Sequence, residues 1–274
     1  MTRLTADQIK TIPARLESYD AELIVKTGCS LKQLAAAAAA VDLSQCQPEN
    51  YRVAVIPVTA GLGTIEGFSE AVCAITGHLG FRASITGSSD AGGLAEAFES
   101  GADILILADD NVYAAVNPAS KRVARNEEAT ARGYTAALGQ MAGGLRGREV
   151  LLIGAGSVGQ KAAEALLEAG AKLIVFDLDK TKEEGLAAAM GSKFNSAVAS
   201  GLTLDQTLER FPLIFDASPG REFIGAEKVS EKTLAAAPGL PLGFTPAALK
   251  VIGPRLIHDP LQIGTAVMLF QALV

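Results

Sequence analysis

Glu149-Val150-Leu151-Leu152-Ile153-Gly154-Ala155-Gly156-Ser157-Val158-Gly159 is the stretch that decides the fold. An apolar run of strand length enters a G-x-G-x-x-G turn, and Val158–Ala169 continues with the periodicity of an amphipathic helix. The next apolar run, Lys172–Asp177, closes on an acid. Each part of such a βαβ unit has a physical task. Gly154 permits the tight turn, and Gly156 lets the backbone approach a pyrophosphate. Gly159 lets helix and strand pack closely. The helix N-terminus, with Ser157 and Val158, offers unpaired N–H groups and positive potential to phosphate. Asp177 would accept hydrogen bonds from ribose hydroxyls and repel a 2′-phosphate, so the expected cofactor is NAD rather than NADP.

Outward from this unit, Leu213–Asp216 and Leu256–His258 read as further strands. The turns Ala217-Ser218-Pro219-Gly220 and Gly239-Leu240-Pro241 stand where strands end. Ligands of open parallel sheets bind beyond the carboxyl ends of strands, which makes Ser218, Pro219 and Leu240 candidate neighbours of the cofactor. Upstream, strands at Val53–Val58, Arg82–Thr86 and Ile104–Leu107, with a helix over about Ile65–His78, form a second alternating series. A parallel sheet with crossover helices follows. Ser120–Gly143, charged and then Ala-rich, reads as one long helix. The expected class is α/β with two domains. A small parallel substrate domain spans 1–118 and a connecting helix 119–146. A Rossmann dinucleotide-binding domain with the C-terminal helix spans 147–274. Thr5 and Gln8 form a capping-box pattern before Ile9, Ile12 and Leu16, which share one helical face.

The chain has 274 residues and a formal net charge of −6. An acidic balance disfavours nucleic acid, whose binding needs clustered cations. The longest alanine run, Ala35–Ala40, is too short for a bilayer, and no signal-like segment opens the chain. Cys29, Cys46 and Cys73 lack ligand-like spacing, so no metal site and a reducing, cytoplasmic setting are expected. The two histidines, His78 and His258, read as structural. Carboxylates are left for catalysis: Asp109-Asp110-Asn111 after the third strand, and Asp259 before Pro260. Adjacent acids on a strand point to opposite sides, so at most one of Asp109 and Asp110 faces a given pocket. For Gly61-Leu62-Gly63 two readings stay open, a packing turn or a backbone approach to a substrate carboxylate at a helix N-terminus.

At these residues the sequence resembles the PylD family, the dehydrogenases that complete pyrrolysine. The shared phrases are Ile56-Pro57-Val58-Thr59 leading into Gly61-x-Gly63, Phe68-Ser69-Glu70, Ala108-Asp109-Asp110-Asn111, and Pro260-Leu261-x-Ile263-Gly264-Thr265-Ala266 before Met268-Leu269. The resemblance runs from Leu4-Thr5 to the C-terminus. It implies an amino-acid substrate, L-lysine bearing 3-methyl-D-ornithine on its ε-nitrogen, oxidised by NAD⁺ at the terminal amine carbon with ammonia loss and ring closure. It implies Asp109 as the catalytic carboxylate and Leu4, Ala60 and Asp259 as substrate contacts. Asn111 and Ile263 would stand at the cofactor, and the first helix would be a mobile cover. Ala60 replaces a serine of the family's pattern, and Asp259 replaces a glutamate. The runner-up readings are another NAD-dependent amino-acid or imine oxidoreductase and an NAD-sensing protein. A monomer or homodimer is expected.

Overall fold

The computed structural model describes residues 4–274. The chain divides into two units, the first of residues 4–25, 29–133 and 260–274, the second of 26–28 and 134–259; the first three residues of the expected substrate domain lie outside the described ones.

The first unit opens with α1 (Ala6–Ile9), where the Gln8 side chain accepts the Thr5 N–H at 2.8 Å. α2 (Ile12–Thr27) and α3 (Leu31–Ala38) follow. Ile9, Ile12 and Leu16 are all buried. β1 (Arg52–Ile56), α4 (Phe68–His78), β2 (Arg82–Ile85), α5 (Asp90–Glu99) and β3 (Ile104–Ala108) are the expected alternation. β1 lies parallel between β2 and β3. Ala54 and Ile56 on one face of the sheet meet Ala97 of α5.

The sheet is larger and less uniform than the sequence suggests. β4 (Tyr113–Asn117) pairs antiparallel with β3, and β5 (Arg122–Arg125) antiparallel with β4, in the order β2-β1-β3-β4-β5. The helix expected from 119 therefore begins only at Asn126, as α6 (Asn126–Ala142). The turn between β4 and β5 has a physical cause. The Asn117 side-chain oxygen accepts the N–H groups of Ala119 and Ser120 at 3.1 Å each, the Asx geometry that lets asparagine reverse a chain. β5 is an edge strand with only Ala124 buried, so it carries no apolar run that would mark it as a strand.

In the second unit β6 (Glu149–Ile153), α7 (Ser157–Glu168), β7 (Lys172–Phe176), α8 (Lys180–Phe194), α9 (Leu204–Arg210), β8 (Leu213–Asp216), β9 (Leu234–Ala236), α10 (Pro246–Ile252) and β10 (Leu256–Ile257) build a five-stranded sheet, all parallel. Its order is β10-β9-β8-β6-β7. Leu151, Ile153, Ile214, Phe211 and Phe244 share its core.

The chain closes with α11 (Gln262–Gln271), which belongs to the first unit, whereas the sequence reading joined it to the Rossmann domain. Residues Gln262 through Phe270 are all buried, and α11 packs on α3 and α4. A helix that is buried on every side shows no polar stripe from which its partner sheet can be read.

Candidate active site

In the first unit, strand order reverses between β1 and β3, and the two loops that leave these strands are joined. Ligands of open α/β sheets bind at such a switch point. After β3, Asp109 Oδ1 accepts the amides of Asn111 and Val112, both at 2.7 Å. These bonds, Val112 first, hold the Asp109 carboxyl below the ordinary aspartate range. Asp109 is exposed, as is Asn111. Asp110 turns the other way: its Oδ2 accepts the Leu62 amide at 2.7 Å. Gly61 makes this possible, since a Cβ there would lie 2.0 Å from Asp110 Oδ2, and its φ of +70° suits glycine. Ala60 is exposed beside it, and Leu4 is half-buried. The clamp between Asp110 and the glycine turn was not readable from sequence, because it joins residues far apart in the chain. His78, in the last turn of α4, meets Asp20 at 3.1 Å, a contact that ties two helices.

In the second unit, order reverses between β6 and β8. Gly154 (φ +95°) stands so close to the β8 loop that a Cβ would lie 3.0 Å from the Ala217 carbonyl carbon and the Ser218 nitrogen. At Gly159 a Cβ would come within 1.9 Å of the Gly154 carbonyl oxygen, whereas nothing lies within 4 Å of one at Gly156. Gly156 is also the N-cap of α7 and has no side chain to cap its amides. The turn therefore combines tight packing below with open space and unpaired N–H groups above, a cradle that fits a pyrophosphate. Ser157 is exposed and Val158 half-buried on the first turn of that helix.

Asp177 directly follows β7, and both its oxygens are engaged by backbone: Oδ2 accepts Ala155 N–H at 2.7 Å and Oδ1 accepts Asp179 N–H at 2.8 Å. Each carboxylate oxygen has a second lone pair for a ribose hydroxyl. Behind it stands Glu183, which sequence reasoning missed. It is fully buried, and its carboxylate accepts the Asp177 amide at 2.9 Å, the Gly201 amide at 2.5 Å and the Lys180 ammonium at 2.7 Å. Burial raises its pKa, yet these donors outweigh burial and hold it below the ordinary glutamate value.

Asp216, at the end of β8, is the other unforeseen acid. Its Oδ1 accepts the Ser218 amide and hydroxyl at 3.0 and 2.7 Å, while Oδ2 is buried without a partner among the described residues. Burial pushes this carboxyl up to about 6. The bonds to Ser218 anchor the loop carrying Pro219, which is exposed; Leu240 is half-buried. Asp259 is 6% exposed, and its Oδ2 accepts the Tyr134 hydroxyl at 3.0 Å. The imidazole Nδ1 of His258 lies 2.7 Å from the Ala237 carbonyl. Ile263, in the first unit, is fully buried and closes on Gly133, where a Cβ would lie 2.3 Å from Ile263 Cγ2. Among the described residues no cluster of three His, Cys, Asp or Glu is placed to hold a metal, and no helix is long and apolar enough to cross a membrane.

Residues 8–124 match the family model described as "Pyrrolysine biosynthesis protein PylD, N-terminal domain", and residues 119–222 match "Alanine dehydrogenase/PNT, C-terminal domain". The pyrrolysine synthase of Methanosarcina acetivorans is 30% identical over 274 residues, covering 100% of both chains. Among solved structures, a quinate dehydrogenase from Corynebacterium glutamicum in complex with NAD is 14% identical, with a TM-score of 0.53 over 82% of this chain and 94% of that one. A shikimate dehydrogenase in complex with NADP⁺ is 16% identical, with a TM-score of 0.55 over 85% and 94%. At these identities the two structures speak to the fold, which is of the Rossmann dehydrogenase type.

Proposed function

The chain belongs to the PylD family of pyrrolysine synthases, and from that premise we propose that it oxidises the terminal amine carbon of L-lysine-Nε-3-methyl-D-ornithine with NAD⁺, releasing ammonia and forming L-pyrrolysine. The observation that carries this reading is the 30% identity over the full length of a pyrrolysine synthase.

Gly154, Gly156, Ser157, Val158 and Gly159 would hold the pyrophosphate, and Asp177 the adenosine ribose. Ser218, Pro219 and Leu240, beyond the strand ends, would border the nicotinamide. Bound NAD⁺ supplies the acceptor for the hydride. The substrate amine, with a pKa near 10, must lose a proton first, at a cost of about 4 kcal/mol at neutral pH. Asp109 is ionised there as an ordinary aspartate would be, and two amides hold its pKa lower still. A depressed carboxylate is a weak base, so Asp109 serves chiefly as an electrostatic partner. It receives the ammonium by a charge-assisted hydrogen bond, passes its proton on, and stabilises the substrate iminium left by hydride loss. Asp259, oriented by Tyr134, would take the second amine of the ornithine part. That amine adds to the iminium carbon, and loss of ammonia leaves the ring C=N; closure of a five-membered ring needs little further help.

The test is turnover with the lysine–methylornithine amide, read by NADH formation and product mass. NADH and pyrrolysine formed in step with each other are the expected result. Turnover confined to simple amino acids or imines would shift the reading to another oxidoreductase, and NAD binding without turnover of any amine to a sensing role.

A further inference from the structure

The turn from β7 into α8 carries two lysines near the acid assigned to the ribose, and they are held very differently. Lys182 Nζ lies 3.5 Å from Asp179 Oδ2, with both side chains largely exposed. Such a pair is screened and contributes little. Lys180 Nζ lies 2.7 Å from Glu183 Oε2, 4.7 Å from the centre of the Phe176 ring and 3.5 Å from the Leu202 carbonyl oxygen. Its partner Glu183 is fully buried and is pinned by the amides of Asp177 and Gly201. A carboxylate fixed in this way cannot follow a moving lysine; the lysine must come to it. Releasing the ammonium would leave a buried charge without its counter-ion, which is costly.

Dinucleotide sites choose between their ligands at this turn. An acid takes the ribose 2′-hydroxyl, or a nearby cation takes the 2′-phosphate. Lys180, three residues beyond Asp177, is one cation of this turn that such a phosphate could use; its side chain is half exposed, but its ammonium is held on Glu183. We propose that Glu183 is a specificity-determining residue: by holding Lys180 against Phe176 it withholds one of the turn's two cations from a 2′-phosphate, adding a second layer to the repulsion from Asp177. The inference rests on the NAD reading above and deepens it. It predicts that the turn holds a latent NADP-type site that one substitution uncovers.

The experiment is calorimetric titration of the full-length protein with 5′-ADP and 2′,5′-ADP, which reads binding without any turnover. Wild type binds 5′-ADP more tightly; the reverse order would sink the NAD reading itself. In Glu183→Gln the affinity for 2′,5′-ADP relative to 5′-ADP should rise about tenfold or more, the worth of one charge-assisted contact. Adding Lys180→Met to that variant should return the ratio to its wild-type value. An unchanged ratio in folded Glu183→Gln, or a rise that survives Lys180→Met, overturns this inference and leaves the NAD reading standing. If Glu183→Gln does not fold, Asp177→Ser decides. There the held Lys180 contributes nothing, so Lys180→Met should leave 2′,5′-ADP affinity unchanged. A weakening would mean that Lys180 is already available, and the inference fails.

Discussion

Asp109 offers an oxygen to two amides of its own turn, whereas Asp110 offers one to Leu62 in another loop. The pair therefore divides into a charge presented to solvent and a clamp. Asp109→Asn keeps a carbonyl for the turn amides and removes the charge. A charge-assisted contact is worth roughly 1.5–3 kcal/mol, more where charge develops in the transition state. The loss in kcat/KM should be at least about tenfold and up to several hundredfold, with dinucleotide titration unchanged. Asp110→Asn retains an acceptor for Leu62 and should cost far less; a larger loss there would name Asp110 as the catalytic acid. Asp216 makes a different prediction. Its folded pKa of about 6 exceeds the ordinary 3.8, so the folded state binds the proton more tightly. Stability from this group is present at low pH and is lost as pH rises through 6, by about 3 kcal/mol in all. Asp216→Asn should remove that slope. Melting of both proteins between about pH 3.5 and 7 checks it, and an equal slope in the two rejects the assignment.

At the scale of elements, the turn from β6 into α7 can be dissected with two glycines. Gly156 has an extended backbone (φ −74°, ψ −168°) and open space around its Cβ position. Gly156→Val should fold with nearly unchanged Tm and lose dinucleotide binding, because its methyl groups fill the cradle. At Gly159 a Cβ would strike the Gly154 carbonyl, so Gly159→Ala should lower stability by about 1–3 kcal/mol. Equal melting temperatures for the two variants would remove this division of roles. These glycines were legible because their reasons are local: a strand, a turn and a helix in direct succession. β6 and β8 have the bounds that their apolar runs suggest. β5 was not legible, because an edge strand between arginines buries one residue. Nor were the tasks of Asp110, Glu183 and Asp216, whose meaning lies in which distant amide, lysine or cavity the fold brings to each.

For the whole molecule, the same device appears twice: each sheet reverses its strand order beside its first strand, and the loops leaving that point carry Ala60, Asp109 and Asn111 in the first unit and Gly154–Gly159, Ser218 and Pro219 in the second. Two alternating series make two α/β units readable in advance, but not the strand order of either sheet. Which unit owns the C-terminal helix was not readable, since α11 is buried all round. The N-terminus poses the opposite problem, because its amphipathic pattern suits either a cover or a core helix. Ile9 ends the single turn of α1, and Ile12 and Leu16 are buried along α2. Full burial of such a side chain is worth about 1.5–3 kcal/mol. Any cover is then confined to α1 and Leu4, with α2 part of the core. Deleting residues 1–10 should remove one buried side chain among the described residues, cost about 2 kcal/mol and raise the substrate KM. Deleting 1–19 removes three, so about 5 kcal/mol or more is lost and Tm falls by roughly 10 °C or more. Thermal melts and substrate kinetics on both truncations decide it. A raised KM with wild-type Tm in the longer truncation would make α2 part of the cover. An unchanged KM in the shorter one would leave α1 no role at the substrate.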